Sequence, residues 1–202
     1  MAFSLKNYLK NYLKKKKPFS IFTDVIFIVF IILLIIPGTR KEVSSWLTRI
    51  TALPPSELSA GSRFQISDEA RSWQVYDIQG NVVMLDELLD KPVFLNFWAT
   101  WCPPCIGELP GIKELYETYK DEVHFVLVTS EQPDKVKDFA GKHEYNNLPF
   151  YFSRNAPFDF ASESIPATFV IGRDGKVVIS KKGAARWNSG KMERILDELL
   201  KK

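Results

Sequence analysis

Two cysteines three residues apart are the most reactive feature of this sequence. Cys102 and Cys105 are the only cysteines among 202 residues, and they enclose Pro103 and Pro104. Two intervening residues let the sulfurs close a small ring, so the pair can cycle between a dithiol and a disulfide. A structural disulfide framework would need more cysteines, spread along the chain. The spacing therefore predicts redox chemistry.

A metal site is the alternative for a pair of this kind. A tetrahedral zinc ion would need two further ligands, and the chain offers only His124 and His143, which have no ligand-like spacing. We therefore expect no metal ion and no cofactor. The sequence assigns the chemistry to the two sulfurs.

The cysteine pair lies where a buried strand gives way to a helix. Residues 92–98 form an almost continuous apolar run, which is typical of a strand buried on both faces, and apolar residues recur at helical spacing over residues 106–120. Cys102 is then expected at the start of the helix, where unpaired N–H groups and the helix dipole stabilise a thiolate. Cys105, one turn further along, is expected to lie deeper and to be less exposed.

The chain on either side of this junction predicts alternating strands and helices. Further strands are predicted at residues 73–78, 82–85, 123–129, 150–152, 167–171 and 176–180, and further helices at residues 134–142 and 192–200. This order predicts an α/β fold, a mixed central sheet with helices on both faces.

A basic tail and an apolar segment precede the predicted domain. Residues 1–18 are rich in lysine, and only three of the 18 residues in 19–36 are polar. A run of that length predicts an uncleaved transmembrane anchor in contact with lipid, whereas a cleaved signal peptide would call for a small-residue cleavage pattern. The lysines before the span place the N-terminus in the cytoplasm. Residues 37–72 then read as a linker and residues 73–202 as a domain outside the cytoplasm.

The net charge of +3 is unevenly distributed. Residues 1–36 carry six lysines and one acid, so the remainder of the chain is slightly acidic. Binding of nucleic acid would need a basic face on the folded domain itself. We therefore expect no nucleic-acid partner.

Three sequence stretches carry a resemblance to a known family. They are Phe97 to Cys105 (Phe-Trp-Ala-Thr-Trp-Cys-Pro-Pro-Cys), the Glu108-Leu109-Pro110 that follows, and Ile165 to Val170 further on. Together they resemble the thioredoxin fold and, more narrowly, the membrane-tethered TlpA/ResA branch of bacterial extracytoplasmic thiol–disulfide oxidoreductases. The resemblance covers about residues 73–202 and implies a thioredoxin-like fold in a protein of the bacterial cell membrane.

The resemblance also implies a client-binding surface. It implies a cis peptide bond before Pro166, in a loop that faces the cysteines, pairs through Ile165 with the backbone of the client and blocks metal binding. Trp101, beside Cys102, is a further candidate for client contact. Trp98 and Trp101 fit a core or rim position equally well.

Glu108 is the candidate proton-transfer group. This chain has Asn96 where cytoplasmic thioredoxins carry a buried aspartate, and the extracytoplasmic branch resembles it in placing an acid at Glu108. Glu108 lies three residues after Cys105, so the two share a helix face. A partly desolvated carboxylate there could accept the proton of Cys105. An ordinary exposed glutamate is the alternative.

The resemblance implies reduction of disulfides in extracytoplasmic proteins, with apocytochrome c as the usual client. Since cytoplasmic reductases cannot reach such a domain, the electrons would come from a transmembrane thiol donor. A dithiol oxidase or isomerase is an alternative, and the reduction potential separates the two because it spans roughly 150 mV across this fold. A tethered client-binding module with incidental cysteines is another alternative.

Overall fold

The computed structural model describes residues 18–35, 45, 47–48 and 50–201. The predicted lysine-rich tail lies, except for its last residue, outside the described residues. The chain divides into two compact units, residues 1–43 and residues 44–202, and each is described by itself.

One helix, α1, extends from Pro18 to Ile35 in the first unit. Eight apolar side chains between Phe22 and Ile31 are exposed by 39–62%, and they cover every face of the helix. An amphipathic surface helix would instead bury one apolar stripe. By length and hydropathy, no helix in the described part of the chain qualifies as a membrane span. The anchoring role of residues 19–36 remains a prediction.

The second unit is built on a mixed sheet that places the redox pair at the end of a central strand. Its strands are β1 (Phe64–Gln65), β2 (Gln74–Asp77), β3 (Val82–Met84), β4 (Val93–Phe97), β5 (His124–Thr129), β6 (Phe150–Phe152), β7 (Ala167–Ile171) and β8 (Lys176–Lys182). They lie in the order β1-β8-β7-β4-β5-β6-β2-β3. The pairs β4–β5 and β5–β6 are parallel, whereas the others are antiparallel. The predicted mixed sheet is confirmed.

The helices of this unit whose bounds lie within the described residues are α2 (Asp68–Arg71), α3 (Pro103–Tyr119), α4 (Pro133–His143) and α5 (Gly190–Leu200), and there are 3-10 turns at Ala60–Ser62, Leu85–Leu88 and Phe158–Phe160. The three long helices confirm the predicted ones. Within the predicted linker 37–72, the sequence analysis did not predict β1, which pairs with β8, or α2.

Two apolar clusters fill the two faces of the sheet. Helices α3, α4 and α5 contribute to the cluster that contains Phe94, whereas α2 and the turns at Leu85–Leu88 and Phe158–Phe160 contribute to the cluster that contains Val93 and Leu95. Alternate residues of β4 thus enter opposite clusters, as the period of two in a strand requires. Because both faces of β4 are covered, the prediction that this strand is buried on both faces is confirmed.

Candidate active site

Cys102 is the N-cap of α3, at the point where the chain leaves β4. Its Sγ accepts a hydrogen bond from the N–H of Cys105 at 3.3 Å. Pro103 and Pro104 occupy the first helical positions, where an N–H would have no intrahelical acceptor. The expected position of Cys102 at a helix N-terminus is confirmed. A thiolate at this sulfur would meet a free N–H and the positive end of the helix dipole.

The two sulfurs form a disulfide in this structure. The S–S distance is 2.11 Å, and the Cα atoms are 5.3 Å apart. Cys102 is 3% exposed and Cys105 is fully buried. The order agrees with the prediction that Cys102 is the more exposed residue, but in the disulfide form the difference is small. Trp101, which directly precedes Cys102, has 57% of its surface exposed.

The loop before β7 faces the cysteine pair. The peptide bond between Ile165 and Pro166 is cis, as the resemblance implied, and the carbonyl oxygen of Ile165 lies 3.7 Å from Cys102 Sγ. A cleft of about 200 Å³ has Trp98, Trp101 and Ile165 among its lining residues. Trp98 itself is a core residue, 2% exposed. The structure therefore brings Trp101, Ile165 and the redox pair to one surface.

Glu108 is buried in the interior behind the cysteines. The residue is 4% exposed, so the alternative of an ordinary surface glutamate is wrong. Its Oε1 accepts a hydrogen bond from Asn96 Nδ2 at 2.9 Å, and its Oε2 accepts from the N–H of Ala185 at 3.1 Å and from Trp187 Nε1 at 2.9 Å. Three donors from two other parts of the chain therefore hold this carboxyl in one orientation.

Burial raises the pKa of Glu108 to about 7 from its ordinary value of 4.5. The hydrogen bonds from Trp187, Asn96 and Ala185 and the positive charge of Lys181 act in the opposite direction, because they stabilise the carboxylate. Desolvation outweighs them. The carboxyl can therefore both accept and release a proton near neutral pH, which is what general acid–base chemistry requires.

Asn96 connects β4 to this carboxyl. The residue is fully buried, and its Nδ2 donates both to Glu108 and to Thr168 Oγ1, the latter at 2.8 Å. Within the described residues, its Oδ1 is a buried side-chain oxygen without a hydrogen-bond partner. An amide at this position donates to the acid, which an aspartate could not do in its ionised form.

Glu131 is a site residue that the sequence analysis missed. Its side chain is 8% exposed, and it accepts hydrogen bonds from the N–H of Thr100 at 2.6 Å and from Thr100 Oγ1 at 2.9 Å. It also pairs with Lys135. These contacts fix the turn that carries Trp101 and leads into Cys102. The signal was present in the sequence, because Thr100 and Glu131 each follow a predicted strand, and adjacent parallel strands end at the same edge of a sheet.

Several known proteins are similar to this chain in sequence or fold. The family model described as Redoxin matches residues 65–200. The thiol-disulfide oxidoreductase ResA of Bacillus cereus (strain ATCC 10987 / NRS 248) is 32% identical over 148 residues, which cover 71% of this chain and 82% of the relative. ResA of Bacillus thuringiensis (strain Al Hakam) is 35% identical over 120 residues, or 57% of this chain and 69% of the relative. A solved thiol:disulfide interchange protein of the thioredoxin family from Chlorobium tepidum TLS is 26% identical with a TM-score of 0.53, over 65% of this chain and 94% of that one.

The raised pKa of Glu108 makes stability depend on pH. Between about pH 4.5 and pH 7, the folded protein retains a proton on Glu108 that the unfolded chain has released. The free energy of unfolding should therefore fall as the pH rises through this window, by on the order of 3 kcal/mol. Glu108→Gln should remove this component. Urea unfolding of the disulfide form at about pH 5 and about pH 8 measures it.

Glu117→Gln is the matched control, because Glu117 lies on the exposed side of the same helix. We expect this variant to keep the pH dependence of the wild type. The same dependence in Glu108→Gln would show that the buried carboxyl does not titrate in this window.

Proposed function

Because this chain belongs to the Redoxin family and is a thiol–disulfide oxidoreductase of the thioredoxin-like class, we propose that it reduces disulfides in proteins outside the cytoplasm. The observation that carries the proposal is the Cys102–Cys105 disulfide, which forms at the N-terminus of α3 and faces the carbonyl of Ile165. A redox-active pair at a helix N-terminus, beside a loop that a client backbone can contact, suits exchange with protein disulfides.

The proposed reaction starts from the dithiol form. The Cys102 thiolate attacks one sulfur of the client disulfide, that bond breaks, and a mixed disulfide forms while the first client sulfur leaves and takes up a proton. Cys105 then loses its proton and attacks Cys102 Sγ, and the second client sulfur leaves. Two electrons pass to the client, and the pair ends as the disulfide seen here. A transmembrane dithiol donor outside this chain would restore the dithiol.

The positions of the two sulfurs support these separate roles. Cys102 is the cap, where the helix N-terminus and the N–H of Cys105 favour a thiolate. Cys105 has no exposed surface, so a client sulfur meets Cys102 first. Cys105 is within reach of the mixed disulfide, because the pair already closes a bond.

Glu108 is proposed as the acceptor of the proton that Cys105 releases. It follows Cys105 by one helical turn, and its pKa of about 7 suits proton exchange with a thiol near neutral pH. Its three hydrogen bonds hold the carboxyl in one orientation.

The client is proposed to lie across Trp101 and the Ile165–Pro166 loop. The cleft between them shares Trp73, Ser153 and Arg154 with a larger cleft of about 930 Å³, so the two clefts are adjacent. A polypeptide segment beside the target disulfide could extend into it. The resemblance to the TlpA/ResA branch makes apocytochrome c the client to test first.

We further propose that residues 19–36 anchor the protein in the bacterial cell membrane, with the N-terminus in the cytoplasm and the catalytic domain outside. The support is the apolar surface on all faces of α1 and the lysines that precede it. This location would separate the domain from cytoplasmic reductases.

Cys105→Ser should trap the client. Without the resolving thiol, the mixed disulfide on Cys102 has no intramolecular way to break, so covalent adducts accumulate. Cys102→Ser, the matched control, should form almost none. Each variant is expressed in the host, quenched with acid and purified. Adducts are then resolved on non-reducing gels and identified by mass spectrometry.

Apocytochromes among the adducts would support the proposed client. Equal adduct levels in the two variants would contradict the assignment of roles, and an intact fold that forms no adducts would count against reduction of protein disulfides. A reduction potential at the oxidising end of the range for this fold would favour the alternative of a dithiol oxidase or isomerase.

Glu108→Gln should slow thiol–disulfide exchange by about tenfold near neutral pH, because the variant cannot accept the proton of Cys105. Stopped-flow measurement of the exchange with a disulfide peptide gives the rate. Glu117→Gln again serves as the control. Wild-type rates in Glu108→Gln across about pH 5–9 would remove the proton-transfer role.

The anchor predicts both extraction behaviour and topology. We expect the full chain to stay with the membrane fraction after carbonate treatment, and protease to reach the catalytic domain only from the extracytoplasmic side. A soluble, shortened protein that begins near Thr39 would show that residues 19–36 are a cleaved signal.

A further inference from the structure

The chain before the sheet lies directly against the catalytic helix. Residues 45, 47, 48, 50 and 51 are helical, and we call the described residues between 45 and 53 the docking segment. Ser45 is 3% exposed, whereas Leu47 and Ile50 are 53% and 61% exposed. The docking segment therefore has a buried face and a solvent face, although it lies within the range predicted as a linker.

Gly107 in α3 is where the docking segment meets the helix. A Cβ atom on Gly107 would lie 2.8 Å from the backbone oxygen of Ser45 and 2.8 Å from Thr48 Cβ. Both distances are shorter than any normal contact, and a backbone oxygen cannot rotate away as a side-chain end can. Only glycine allows so close an approach at this position. Gly107 also directly precedes Glu108 and lies two residues after Cys105.

The docking segment is also tied to the loop that holds Glu108. The N–H of Arg186 donates to the carbonyl oxygen of Leu53 at 3.0 Å. The residues on either side of Arg186 supply two of the three hydrogen bonds to Glu108, from the N–H of Ala185 and from Trp187 Nε1. A cleft of about 230 Å³ is lined by Ala52, Gly107 and Glu108, among others. Ala52 of the docking segment thus lines the same cleft as Glu108.

We propose that the docking segment is a positioning element of the redox site: seated on Gly107 and bonded to Arg186, it keeps water from Glu108 and holds the two donors to its Oε2 in place. The inference rests on the proposed role of Glu108 in proton transfer, and it adds a second part of the chain to that role. Undocking would hydrate the carboxyl, and the carboxylate would then be favoured at a lower pH.

The charged groups around Glu108 lie outside the docking segment. Lys181 acts on the carboxyl electrostatically, Arg186 and Glu114 line the same cleft, and the redox pair lies toward the N-terminus of α3. None of these belongs to the docking segment. Undocking of the segment from Gly107 would therefore change the access of water to Glu108 and its hydrogen bonds, and it would remove none of these charged groups.

Gly107→Ala tests the proposal from the side of the helix. The added methyl group must displace the docking segment, because it would overlap the backbone oxygen of Ser45. Gly141→Ala is the matched control, a glycine in α4 whose Cβ would meet nothing within 4 Å. Both changes gain the same helix propensity, so the difference between the variants isolates the contact.

Thr48→Gln tests the proposal from the side of the docking segment and leaves the catalytic helix unaltered. Its control is Leu47→Gln, the same side chain at the neighbouring exposed position. This second pair gives the answer if Gly107→Ala does not fold. Glutamine is neutral, so neither variant shifts the Glu108 titration through a new charge.

Two measurements on the full chain in detergent micelles decide the outcome. The titration of the Glu108 carboxyl is followed by ¹³C NMR, with Glu108→Gln to assign the signal, and exchange of the Arg186 amide hydrogen is followed in D₂O. In Gly107→Ala and Thr48→Gln, the midpoint should fall from about 7 toward 4.5. The Arg186 amide should exchange about tenfold faster or more, because its acceptor is lost. The two controls should match the wild type.

A midpoint and an amide exchange that stay at wild-type values in both test variants would overturn the proposal. A lowered midpoint with an unchanged rate of thiol–disulfide exchange would uphold the docking and contradict the proton-transfer role of Glu108. A lowered midpoint together with a pH–rate profile moved to lower pH would support both.

Discussion

The burial of one carboxyl group, that of Glu108, is the constraint on which the arrangement of this site depends. An isolated buried carboxylate is costly, so its oxygens must find donors. They find them in Asn96 on β4 and in Ala185 and Trp187 after β8. The Trp187 ring is itself held edge-on against Phe94, with the ring centroids 5.0 Å apart. Central strand, catalytic helix and the loop after β8 are thereby fixed to one another around a single polar group.

This constraint explains why α3 cannot shift along the sheet. Cys102 begins the helix within reach of Ile165, and Glu108 must meet its donors one to two turns later. The rise of 1.5 Å per residue sets the distance between these two requirements at about 9 Å along the axis. A displaced helix would leave either the sulfur or the carboxyl without its partner. The position of the redox pair thus depends on the contacts of Glu108, which lies deeper in the interior.

The central features of the fold could be predicted from short stretches of sequence. Contacts between distant segments could not. The apolar run of β4, the helical spacing of α3 and the Cys-x-x-Cys pair are readable within about 30 residues. The two residues of β1 carry no pattern of their own and are a strand only because β8 is there to pair with. Trp187 lies 79 residues from Glu108, and nothing in its surroundings marks it as a donor. The position of the docking segment depends on the absence of a side chain at Gly107, and a pattern of apolar residues gives no information about that contact.

The charges along α3 connect electron transfer to proton transfer. The helix N-terminus favours a negative charge on Cys102, while burial favours a proton on Glu108, so the reduced site holds one negative charge more readily than two. With the two groups about 9 Å apart along the axis, repulsion between two unit charges is on the order of 2 kcal/mol at an effective dielectric constant of about 20. A thiolate on Cys102 therefore strengthens proton binding at Glu108. Attack on the client disulfide removes that charge and weakens proton binding at Glu108. In the proposed cycle, an ionised Glu108 is then available to take the proton of Cys105, which it returns to solvent once the pair is oxidised.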